Sequence, residues 1–151
     1  MGDDHEAEAS VTTEVLEQHR RLETLLEDVQ KAFRADDGGA SAREAFSRLR
    51  ETLETHFEQE DRLYYPSIWA LRPAQKAPLQ ACVAAHTRFR SVLHDISQLL
   101  EDDQLAGASS AFDAFAQRFE SHEATEEAVL TELDRELGDT RPATLGEQTP
   151  S

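Results

Sequence analysis

One cysteine in 151 residues, Cys82, leaves the chain without an internal disulfide and without the thiolates of a multi-cysteine zinc or iron–sulfur site. Basic residues are scarce too. Fifteen Lys plus Arg stand against 31 Asp plus Glu, and the formal charge of −16 repels phosphate backbones and anionic lipid headgroups. Neither nucleic acid nor a membrane surface is therefore an expected partner. No apolar run approaches the roughly 18 residues of a membrane span. The opening Met1-Gly2-Asp3-Asp4-His5-Glu6 is acidic where a secretion signal is basic. These absences predict a soluble, cytoplasmic protein of one domain, long enough to bury a continuous core. They leave its oligomeric state open.

Strand-like alternation is also lacking. Apolar residues instead recur at alternating steps of three and four, the spacing of one helix face in a bundle, in four stretches. The first seam is Thr12, Val15, His19, Leu22, Leu26, Val29 and Phe33, broken by Asp36-Asp37-Gly38-Gly39. The second opens with a capping box, Ser41 with Glu44, and continues as Phe46, Leu49, Leu53, His56, Glu60, Leu63 and Ser67. Pro66 predicts an end or kink at Tyr64-Tyr65-Pro66, with a turn at Leu71-Arg72-Pro73. The third seam, entered through Pro78, is Leu79, Cys82, His86, Phe89, Leu93, Ile96 and Leu100, closed by Glu101-Asp102-Asp103-Gln104. The fourth, capped at Ser109 or Ser110 and stopped at Gly138, is Phe112, Phe115, Phe119, His122, Glu126, Val129, Leu133 and Leu137. The expected fold is an all-α, up-down-up-down four-helix bundle over residues 11–137, with disordered ends at 1–10 and 138–151.

Six polar residues occupy seam positions: His19, His56, Glu60, His86, His122 and Glu126. In each His-x-x-x-Glu pair the two side chains lie one turn apart on the same face. Left unpaired in a core, such groups cost several kcal/mol each. For antiparallel neighbours, residues at equal height have their sequence midpoint in the connecting turn. His19 and His56 centre on Asp37-Gly38, His56 and His86 on Leu71, and His86 and His122 on Gln104, each inside a turn placed from other signals. All six therefore converge on one layer. Imidazole with carboxylate suits iron, manganese or zinc. Six ligands overfill one ion but suit two, with two histidines on each and Glu60 and Glu126 bridging. The expected cofactor is a pair of oxo- or hydroxo-bridged iron ions, with zinc or manganese as alternatives.

The pattern resembles the hemerythrin-like HHE cation-binding family, H…HxxxE…H…HxxxE on a four-helix bundle. It is matched by His19, by His56-Phe57-Glu58-Gln59-Glu60, by Ala85-His86-Thr87 and by His122-Glu123-Ala124-Thr125-Glu126, across about residues 11 to 137. The resemblance implies a non-heme di-iron centre that meets O2, hydrogen peroxide, nitric oxide or iron itself. Oxygen-carrying relatives have HxxxH on the third helix and HxxxxD on the fourth. Here the position four after His86 is Arg90, and the last pair ends in Glu126. The missing fifth histidine favours peroxide, O2 or NO reactivity over carriage. The alternative is a module without turnover, for reversible O2 or NO binding or sensing, or for iron storage or donation.

Tyr64, four after Glu60, is a candidate additional ligand, the alternative being aromatic packing near a helix end; Tyr65 points about 100° further round. Glu58 and Glu123 lie off the inward stripe and are read as solvated or supporting residues. Cys82 is read as a small core residue, and His5 and His94 as surface residues. Separate acid–base residues are not evident in the seams, so metal and bound water carry any chemistry.

Overall fold

A computed structural model describes the backbone of residues 3–148 and the side chains of residues 12–136. The helices are α1 (Asp3–Phe33), α2 (Ala40–Gln59), α3 (Tyr65–Leu71), α4 (Lys76–Glu101) and α5 (Leu105–Gln148). A π turn, Glu60–Tyr64, joins α2 to α3 into one rod, and a 3-10 turn, Pro73–Gln75, leads into α4. The four rods pack as a ring, α1 on α2, α2 on α4, α4 on α5 and α5 on α1, which is the up-down-up-down bundle. No strand occurs among the described residues.

Several boundaries differ from the sequence expectation. Helical backbone runs from Asp3 in α1 and, past the expected stop at Gly138, to Gln148 in α5; the side chains of 3–11 and 137–148, His5 and Leu137 among them, lie outside the described residues. The last helix starts at Leu105, so Ser109 and Ser110 sit inside it and cap nothing. The Ser41–Glu44 capping box is not formed either. Asp37 caps α2 instead, accepting from the Gly39 and Ser41 amides at 3.2 and 3.1 Å and from the Ser41 hydroxyl, while Glu44 pairs with Arg48 at 2.6 Å. Gly39 precedes the helix at φ 88°, and a Cβ there would lie 2.5 Å from Leu105, so glycine answers both a left-handed backbone and a close helix approach.

The second rod holds the most consequential departure. Pro66 neither ends nor simply kinks the helix, because it sits in the first turn of α3, where its missing N–H is no loss. The preceding π turn has already inserted one residue, and the Tyr65 amide donates to the Glu60 carbonyl, five residues back. Each side chain beyond it is consequently rotated by about 100°. The predicted inward residues Leu63 and Ser67 are exposed, and Tyr64, Tyr65 and Ile68 are buried in their place.

Two apolar clusters fill the bundle. One is built on Leu22, Leu26, Phe46, Phe57, Phe89, Phe112, Phe115 and Phe119, the other on Val15, Tyr65, Ile68, Leu79, Cys82, Leu130 and Leu133. Along every rod the six polar seam residues fall between the two clusters, so the polar layer is walled from both ends.

Candidate metal centre

Each rod contributes to the polar layer from the interior of a helix or from the π turn, where packing on both sides limits side-chain freedom. His19, His56, Glu60, His86 and Glu126 are all buried, Glu60 and His86 completely, and His122 is half-buried. The structure brings all six predicted residues together. Two groups of four have ligand atoms within 4.8 Å of one another: His19, His56, Glu60 and Glu126; and Glu60, His86, His122 and Glu126. Both carboxylates belong to both groups. His56 and His86 each point Nε2 at Glu60 Oε1, at 3.1 and 3.2 Å; His19 Nε2 lies 2.5 Å from Glu126 Oε1; and the Nε2 atoms of His86 and His122 are 3.1 Å apart.

The opposite nitrogens of three rings are held from outside. Nδ1 of His19 meets Glu127 at 2.8 Å, that of His56 meets the Gln18 amide oxygen at 2.6 Å, and that of His86 meets Asp61 at 2.7 Å. An acceptor on Nδ1 places the ring proton there and leaves the Nε2 lone pair facing the centre, the arrangement that orients imidazole toward a metal. Phe57 stacks on His86 with ring centroids 4.3 Å apart. Arg90, which stands where oxygen carriers have a histidine, turns outward to Glu54 at 3.0 Å and reaches Asp61 at 3.5 Å, so it steadies the residue that steadies His86.

Tyr64 is not in the cluster: its hydroxyl accepts from Gln18 Nε2 at 3.4 Å. Because of the inserted residue it is Tyr65, expected to point away, whose hydroxyl donates to Glu126 Oε2, with the ring 5.7 Å from His86. Glu123, read as off the stripe and as solvated or supporting, is not solvated: it is 3% exposed, with Oε2 3.7 Å from His19 Nδ1, which fits the supporting alternative. The hydrophobic stripe of α5 held no signal for it, because its burial comes from the neighbouring α1. Glu58 and His94 are exposed, and Cys82 is buried, as read.

Charges in the layer are strongly coupled. Burial and then the charge of Glu60 push the Glu126 carboxyl well up; burial also acts upward on Glu60, but the closeness of Glu126, His56 and His86 outweighs it and pulls it below the carboxylate range. Burial, with His86 alongside, lowers His122 to about 4, and burial lowers His19. Burial opposes the His86 charge too, yet the hydrogen bond to Asp61 and the nearby Glu60 carboxylate leave His86 raised. Burial raises Cys82 to about 11, so it is an inert thiol.

The donor set fits metal ions. Five buried polar atoms lack a hydrogen-bond partner: His19 Nε2, both oxygens of Glu60, Glu126 Oε1 and Glu123 Oε2. The first four face the layer shared by the two groups. Buried polar atoms are almost always paired, and an ion is one of the few things that accounts for several orphans converging on one point. An outward-opening cavity of about 370 Å³ runs between α4 and α5, lined by Cys82, Ala85, Arg88, Phe89, Arg118 and His122 among others. Among the described residues no helix is long and apolar enough to cross a membrane.

No curated protein and no solved structure gave a significant match to the chain. The hemerythrin HHE cation-binding domain does match, over residues 10–139, a span that reaches all four rods and takes in every residue of the polar layer. With that match and this bundle, the chain belongs to the hemerythrin HHE cation-binding domain family.

Proposed function

We propose that the protein is a non-heme di-iron protein that reacts with hydrogen peroxide, O2 or nitric oxide. His19 and His56 would hold one ion, His86 and His122 the other, and Glu60 and Glu126 would serve both. The observation that carries this reading is the sharing of two buried carboxylates, with unpartnered oxygens, between two four-residue groups. Two bound irons supply Lewis acidity and redox equivalents to a small molecule at neutral pH.

The chain's own contribution is positional. Glu127, Gln18 and Asp61 fix three imidazoles with Nε2 inward, and the Tyr65 hydroxyl orients Glu126. Phe57, Phe89 and Phe119 keep bulk water from one side of the layer, where a low dielectric strengthens each electrostatic contact. The cavity against His122 offers a route for a small molecule to the less covered end of the layer. Arg90 in place of a fifth histidine leaves the donor set short of saturation, which favours reaction over simple carriage.

The test is metal content per chain on protein from iron-supplemented cells, with absorption spectra under reduction, in air and after peroxide. Two irons per chain and a near-ultraviolet band that responds to O2 or peroxide support the reading. Sustained gas evolution from peroxide marks turnover, whereas full release on deoxygenation marks the binding module. Absence of iron, or a single zinc with a featureless spectrum, overturns it.

A further inference from the structure

Besides His122, the cavity between α4 and α5 is lined by two arginines, Arg88 on α4 and Arg118 on α5. Residues 88 and 118 centre on 103, inside the turn at 102–104 that joins these antiparallel helices, so the two stand at one height on opposite walls of the groove. Both are exposed. Arg43, Arg48, Arg62, Arg72, Arg90 and Arg135 each pair with a carboxylate, but among the described residues none pairs with Arg88 or Arg118. On its own helix neither has an Asp or Glu three or four residues away in either direction, where a helix partner would stand. In a chain with 31 acidic residues that is a local exception. Like charges facing across a groove repel, and an anion lying between them turns that repulsion into attraction. The rest of the lining says what the anion carries. Pro78, Ala81, Ala85 and Phe89 make the α4 wall apolar. On the α5 wall the Thr125 hydroxyl is already engaged by the Ser121 carbonyl at 3.1 Å, which leaves the Ser121 hydroxyl and His122 beside the two guanidiniums. A cavity of about 370 Å³ has the size of a small-molecule site and is roomy for a bare ion.

We propose that this cavity binds a small organic monocarboxylate, its carboxylate held between Arg88 and Arg118 and its apolar body laid against Ala81, Ala85 and Phe89. Guanidinium suits such a head group, because its planar fork meets a carboxylate through two parallel hydrogen bonds. A single charge follows from the −16 of the chain, whose field opposes every negative charge that approaches. The apolar wall adds what charge alone does not supply, the removal of hydrocarbon from water. The site stands on these residues by themselves. Only one consequence rests on the proposed di-metal centre, namely that the occupant lies between solvent and the ion held by His122.

The experiment titrates the full-length chain with benzoate by calorimetry, both as purified and after metal removal. Benzyl alcohol, which keeps the ring without the charge, and inorganic phosphate, which keeps a charge without the ring, are the comparison probes. One benzoate per chain is expected in both forms, with weaker binding of either comparison probe. Arg88→Gln and Arg118→Gln, at exposed positions where misfolding is not a concern, should each weaken benzoate about fivefold, the upper end of what an exposed ion pair gives. The double variant should lose saturable binding. Ala81→Phe, also at an exposed position, should weaken benzoate with both arginines in place, because the ring it adds fills the space of the ligand's body. Equal affinity in wild type and the double variant would overturn the site, as would phosphate or benzyl alcohol binding as tightly as benzoate. Binding confined to the metal-loaded chain and indifferent to both arginines would overturn it too, by making the carboxylate a ligand of the metal. Saturable, arginine-dependent binding in a chain that takes up no iron would keep this site and sink the di-metal reading.

Discussion

The two groups of four share their carboxylates but not their surroundings. On one side His19 and His56 are both buried, and each outer nitrogen is held by a neighbour, Glu127 or Gln18. The cavity that approaches this side, about 340 Å³, is lined by Glu14, Gln18, Arg21, Thr52, Thr55, His56 and Gln59 with a single leucine, so what reaches it is polar. On the other side His86 is covered and fixed by Asp61, while His122 is half-buried and lines a cavity walled by Cys82, Ala85 and Phe89. The first approach is the more polar of the two and the second the more apolar. The difference teaches that one bundle layer can be approached through grooves of different character, because four helices leave several distinct grooves.

The strongest way to break this comparison is to remove what the two sides share. Glu126→Ala should lower bound metal from two ions to one or none and reduce the melting temperature of the metal-loaded protein, since the other buried polar groups lose their counterpart. Elemental analysis with a thermal melt checks this, and retention of two ions per chain would undo the assignment. A smaller effect separates the sides. Asp61→Ala should weaken one ion by about 10- to 100-fold and leave the other, because loss of an outer partner frees the imidazole it orients. Competition with a chelator reads the two affinities, and equal weakening of both ions would mean that the layer behaves as a unit.

The smallest effect is a pH slope in the metal-free chain. Burial first, and then nearby carboxylates, raise Glu123 to about 9 from an ordinary 4.5, and Glu126 is raised in the same direction. The folded state therefore binds these protons more tightly than the unfolded one, and the stability they contribute is complete below 4.5 and lost as pH climbs toward 9. His122, lowered to about 4 from 6.5, works oppositely: its contribution is present above 6.5 and lost as pH falls toward 4. Melting temperature measured without metal should thus decline between about pH 6.5 and 9, with a shallower decline in Glu123→Gln. A flat profile across that window in wild type would contradict the charge arrangement on the His19 side.

Much of the centre was legible before any coordinates. Helical period named the inward residues, and antiparallel pairing put four histidines at one height because the midpoint of any level pair must lie in a turn. The observed turns, at residues 34–39, 72–75 and 102–104, hold or adjoin all three midpoints. What stayed hidden depends on more than one element. A π turn adds a residue without a composition signature, so Tyr64 and Tyr65 exchange roles although both obey the same heptad bookkeeping. Caps were misplaced for a related reason: Asp37 and Ser41 are equally able acceptors on paper, and only the path through Gly38 and Gly39 selects Asp37. Glu123 sits one residue after His122 and faces α1 rather than the seam, which period alone marks as outside.

Sequence alone therefore determined the helix number, the up-down order, the acidic surface and the six residues of the polar layer, because these follow from local period, charge count and the geometry of antiparallel rods. Tertiary structure decided which outer groups hold each imidazole, that Tyr65 and not Tyr64 reaches Glu126, that Glu123 is buried, and which grooves approach the layer. Those facts depend on how one helix lies against the next. The faces that meet between helices are set by packing and by a one-residue change in winding, and neither has a period to be read.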